Sequence, residues 1–267
     1  VDELRAFVDA HVAATVADAD DVHGKLRALL ARRLVREGRR ADALAYVDDA
    51  AMADLLRALD DDYRAGFDHN ASAEQKASAR FSAAVILRDS GMELSGTELA
   101  PDWTVFGGSF ELDDIDIASP QSQLGYAEMM RAAASRPEPN KRFHYRYVAA
   151  ELVSQAADLL PQRSQAYAAV LCRASSFLVH RDAPAASVYW RRYVAYGARV
   201  DFVGAFGEEC PAPDFDRAFA APSVPAVLHA RVHKRVVVRD SAILLALVLA
   251  VQWTARRIAR RPSASLV

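Results

Sequence analysis

The stretch GMELSGTELAPDWTVFGGSFELDDIDI, residues 91–117, carries Glu93, Glu98, Asp102, Glu111, Asp113, Asp114 and Asp116 without a single Lys or Arg. Carboxylates spaced like Asp113, Asp114 and Asp116 are hard oxygen ligands suited to a divalent cation. No Ca²⁺-loop spacing with its central Gly accompanies them. Trp103 and Phe106 stand among these acids and could anchor a basic partner or pin the loop to its own helices. The alternation in WTVFGGSFEL about Gly107-Gly108 predicts a short hairpin.

Other chemistry-bearing residues are thinly spread. His229 and His233 lie four apart, so both fall on one helical face, but their Arg and Lys neighbours would repel a metal. A solvated or membrane-proximal basic face is the better reading. Cys172 and Cys210 match no zinc spacing. A single bridge between them is open, and two buried thiols are the first expectation. There is no Gly-x-Ser-x-Gly elbow and no phosphate-cradling Gly-rich loop. No cofactor is expected.

Composition narrows the classes further. The 267 residues are 52% hydrophobic and 25% charged, as in a folded chain. With 33 basic against 35 acidic residues the formal net charge is −2, so no basic field advertises nucleic acid, and such a partner is unlikely on this ground. The aromatic-basic runs KRFHYRY (141–147) and VYWRRYVAYGAR (188–199) accordingly read as helix faces. Tyr145, Val148, Ala149 and Leu152 form one inward stripe, and Tyr189, Tyr193 and Tyr196 another, with Arg192 and Arg199 outside.

The elements that must position these residues are helices. In VDELRAFVDAHVAATVADADD, Leu4, Phe7, Val8, Val12 and Val16 keep helical spacing. Leu26, Leu29, Leu30, Leu34 and Val35 do the same until Gly38 breaks the run. A second helix is expected next, with Ala43, Leu44, Val47, Ala50 and Met52 facing inward. Ser72 is the predicted cap, and Gly91 the predicted stop, of a helix with Phe81, Ala84, Val85 and Leu87 inside. Three more helices follow the SRPEPN linker. The last opens at Asp182 and Pro184, and the three begin about 20 residues apart, the rhythm of an α-solenoid.

The pair over residues 27–50 resembles a tetratricopeptide repeat. Leu30-Ala31, Leu34, Gly38, Ala43, Val47 and Ala50 fit that unit's spacing, whereas Arg27 replaces its early Trp and Leu55 stands near its closing Pro. The resemblance implies an array of antiparallel helix pairs that binds proteins or peptides rather than catalysing a reaction.

Pro-rich GEECPAPDFDRAFAAPSVPA (207–226) reads as an extended linker. Beyond it, Ser241 to Ala255 is a run of 15 residues without a charge, flanked by arginines on both sides. Residues 236–260 read either as a membrane anchor, for which the run is short, or as a buried helix.

The expected fold is therefore all-α. Helical hairpins (1–90) precede an acidic insert and linker (91–140). Helical repeats (141–206), a Pro-rich basic linker (207–235) and the apolar helix (236–260) follow. The expected function is a protein–protein interaction scaffold, with or without a membrane tether. Arg33, Arg36, Tyr46, Arg146 and Tyr189 are its anchors, alongside Trp103 and Phe106. The rival expectation is a metal-dependent helical enzyme or binder at Asp113, Asp114 and Asp116.

Overall fold

Ser72, Ser164 and Asp182 are the residue types that open helices, and each does so here. Ser72 accepts from the Gln75 backbone at 3.1 Å while the Gln75 side chain accepts from the Ser72 backbone at 2.9 Å, a complete capping box. Ser164 accepts from Tyr167 N at 3.1 Å, and Asp182 from Ala185 N at 3.0 Å with Pro184 in the first turn.

The computed structural model describes residues 1–12, 22–96, 125–141 and 143–220. All regular structure among them is helical. In chain order the helices are α1 (Asp2–His11), α2 (Val22–Arg36), α3 (Arg40–Ala43), α4 (Ala50–Phe67) and α5 (Ala73–Gly91). After these come α6 (Tyr126–Ala134), α7 (His144–Asp158), α8 (Gln165–Leu178), α9 (Ala183–Tyr196) and α10 (Phe215–Phe219). No helix among the described residues is long and apolar enough to cross a membrane. Residues 236–260, on which the anchor was expected, lie outside the described residues. So do Trp103, Phe106, Asp113, Asp114, Asp116, the expected hairpin, His229 and His233.

Residues 1–219 form one unit. Its centre runs α4, α5, α7, α8, α9, each packed chiefly on the next. Short connections make sequential neighbours antiparallel. The pair α5 and α7, not sequential, is antiparallel too: Gly91 meets Tyr145 at one end, and Arg80 reaches the Gln155 carbonyl at 3.3 Å further along. Close approach follows from side-chain size, because α5 buries Ala77, Ala79, Ala83 and Ala84. The innermost helix is α8, where Tyr167, Val170, Leu171, Cys172 and Leu178 are all but inaccessible to solvent.

Four expectations are corrected. The helix expected after Gly38 is broken: α3 lasts four residues, Leu44–Tyr46 tighten into a 3₁₀ turn, and Val47 is extended. Arg27, 4% exposed, explains the break. It grips Asp48 through two bonds of 3.1 and 2.9 Å and the Ala45 carbonyl at 2.9 Å, pinning the irregular segment onto α2. Asp49 then caps α4 by accepting from Met52 N at 2.7 Å, which leaves Ala50 exposed instead of inward. Gly91 is not a stop either, for the chain runs on through a π-helical turn, Met92–Gly96. Its value is the missing Cβ, which would sit 2.6 Å from the Tyr145 ring. On α9, Tyr193 is buried but Tyr196 is 51% exposed, and Arg192 is turned inward to the Ser154 hydroxyl (2.9 Å), the Tyr167 hydroxyl (3.3 Å) and Asp158.

The fourth concerns the cysteines. Cys172 of α8 and Cys210 form a disulfide and are not buried thiols. Residues 211–214, with Pro211 and Pro213, carry no regular structure, and this segment is fastened to the body. Arg173 donates to the Cys210 carbonyl at 3.0 Å, and the Phe215 ring meets Phe81 edge-on at 5.8 Å.

Candidate functional site

Where the end of α2 meets α4, the end of α5, residues 134–138 and the start of α7, the packing leaves a cavity of about 230 Å³. Helical spacing puts Arg33 and Arg36 on the same side of α2. Gly38, with φ of +78°, turns the chain in the left-handed region and brings Arg40 to the rim. Arg136 enters from the connection before α7. Four arginines thus line one cavity, with Glu37 and Glu138 the carboxylates in its wall among the described residues.

These arginines are braced in different ways. Arg36 donates to the Ser95 carbonyl at 3.2 Å and the Ser135 carbonyl at 3.4 Å, tying both banks of the cavity together. Arg40 pairs with Asp60 at 3.3 Å and lies 3.8 Å above the Tyr63 ring. Burial pushes the Tyr63 phenol above its ordinary range, with Arg40 opposing.

His144 stands in the same wall, at the first position of α7. Phe143 before it takes φ of +59° and offers no side-chain cap. The imidazole is 3% exposed, and neither ring nitrogen has a hydrogen-bond partner among the described residues. Burial, and after it the Arg36 charge, depress its pKa from 6.5 to about 4. The Ser95 backbone lies near enough to oppose that shift but not in hydrogen-bonding geometry. At neutral pH the ring is therefore uncharged, with one donor and one acceptor unmet. Each unmet buried group costs about 1–3 kcal/mol. Cations from several segments around such a group make a place for an anion.

The expected anchors divide. Arg33 and Arg36 meet in the cavity. Tyr46 is 6% exposed and donates to Asp9 at 2.7 Å, so it joins α1 to the turn before α4. Arg146 lies outside the cavity, 5.5 Å from the Phe143 ring. Tyr189, a residue of α9, packs against the core with its phenol pushed up to about 12, chiefly by burial and then by Glu151. Among the described residues no group of three or more His, Cys, Asp or Glu could hold a metal ion. Sequence reasoning missed Arg40, Arg136 and His144. Only the run KRFHYRY hinted at the last, and its periodicity drew attention to the stripe instead. Comparison with protein-family models, curated proteins and solved structures returns no match.

Proposed function

We propose that this chain is a non-catalytic docking module, an array of antiparallel helix pairs that receives an acidic group of a protein partner in its arginine-lined pocket. One observation carries the reading: Arg33, Arg36, Arg40 and Arg136, from three stretches of chain, line one cavity beside a buried imidazole that has no hydrogen-bond partner among the described residues. The successive packing of α4, α5, α7, α8 and α9 is compatible with a tetratricopeptide-like array. Guanidinium groups suit carboxylate and phosphate oxygens because their donors are fixed in a planar fork.

The test is fluorescence anisotropy with a labelled, Glu-rich peptide. The expected Kd is on the order of 10 μM at low salt, weakening as salt is raised. Replacing Arg33 and Arg136 together by Glu is expected to weaken binding by roughly tenfold or more, since like charges then face the acid. A flat signal up to about 1 mM peptide would remove the reading.

A further inference from the structure

We propose that the pocket is a site for a tetrahedral oxyanion, the phosphoryl group of a phosphorylated segment in the partner, and that filling it places a proton on His144. The proposal rests on the docking reading above and names the group recognised. A carboxylate presents two oxygens in one plane and is satisfied by one guanidinium fork. Here arginines arrive from α2, from α3 and from the connection before α7. A phosphoryl group, with three oxygens pointing apart, answers donors that converge from separate segments. The cavity, about 230 Å³, holds that group together with the side chain that carries it.

His144 supplies the second, independent observation. It is an ionisable group almost wholly buried in the cavity wall, with both nitrogens unmet among the described residues. It also heads α7, a helix of 15 residues whose cap Phe143 offers no side-chain acceptor, and helix starts favour anions. Among the described residues, the titratable groups around the cavity are the amine of Val1, Arg33, Arg36 and Glu37 at the end of α2, Arg40 of α3 with its partner Asp60, and Tyr63 of α4. Arg136 and Glu138 face it from the connection, and Tyr145 adjoins it on α7. Among the described residues cations outnumber carboxylates in this wall, and burial together with the Arg36 charge keeps the ring neutral. An entering dianion offsets that excess, and an opposite charge within about 4–6 Å raises a His pKa by roughly one to three units. The proton comes from solvent, and the charged ring then donates to the anion.

The measurement is calorimetric titration with sulfate, which mimics the phosphoryl group and does not itself titrate near neutrality. It is run between about pH 5 and pH 7.5 in buffers of differing ionisation heat. Expected are a heat that depends on the buffer, showing proton uptake largest near pH 5–6, and an affinity that rises roughly tenfold or more from pH 7.5 to pH 5. His144→Gln keeps a donor and an acceptor, so it is expected to abolish the uptake while sulfate still binds at pH 7.5. Should that variant fail to fold, the wild-type ring is followed by NMR, expecting a His144 pKa at least one unit higher with sulfate than without.

In parallel, a phosphoserine peptide is expected to bind about tenfold more tightly than its Glu counterpart. Sulfate binding without proton uptake, or with an unmoved His144 pKa, overturns the proposal. Binding of the Glu peptide with no preference for phosphoserine and no response to sulfate also overturns it, yet leaves the docking reading standing. If neither peptide binds, both readings fall.

Discussion

His144 is a buried ring that folding forces to stay neutral, so the fold opposes its protonation. With a folded pKa near 4 against 6.5, the unfolded chain binds more protons between those values. The contribution is complete above about pH 6.5 and drains away as pH falls to about 4. At roughly 1.4 kcal/mol per unit the loss is on the order of 3 kcal/mol. Urea unfolding at pH 7 and pH 4.5 should therefore show a smaller acid loss in His144→Gln than in the wild type. An equal loss in both would mean that His144 is not desolvated as described. Gly91 acts beside it. A Cβ there meets the Tyr145 ring at 2.6 Å, so Gly91→Ala should cost about 1–3 kcal/mol. Gly204→Ala, where nothing lies within 4 Å, is the control and should be near neutral in the same thermal melt.

At the scale of elements, the strongest lever is the clamp of Arg27 on Asp48 and Ala45. Arg27→Ala leaves a carboxylate and a carbonyl without their donor, and should cost about 2–3 kcal/mol in denaturant unfolding. A loss below about 0.5 kcal/mol would show that the segment before α4 holds itself. The same clamp shows why this segment was misread from sequence. Ser72 with Gln75, Asp182 with Pro184 and the turn at Gly38 are local signals, three residues apart or fewer, and they were legible. The break at residues 44–49 depends on an arginine 21 residues upstream, and periodicity alone continued the helix through it. Helix α6 fell within a stretch read as insert and linker, because its nine residues are too few to set a period beside the prolines that follow. The pocket was legible only as Arg33 and Arg36. Its other bank, reached from Arg36 at Ser135, is 99 residues away, and nothing local to Arg136 or His144 announces that they will meet.

For the whole molecule, the disulfide matters most. It closes a loop of 38 residues, for which restriction of the unfolded chain corresponds to about 4 kcal/mol. Reduction, or Cys210→Ser, should lower thermal stability by about 2–4 kcal/mol. Hydrogen exchange should quicken first in residues 201–219, which the bridge holds to α8. Unchanged exchange there would show that the Phe81–Phe215 contact and the Arg173 bond suffice.

The position of the bridge also has a mechanical meaning. Tension applied to the chain beyond residue 219 runs back through α10 to Cys210, then crosses covalently to Cys172 in the middle of the most buried helix. Residues 173–209 lie off that line, so α9 and the Trp190–Tyr193–Phe206 stack are shielded from load. A pull from that end would peel α10 alone and then be borne by α8 and the neighbours that enclose it.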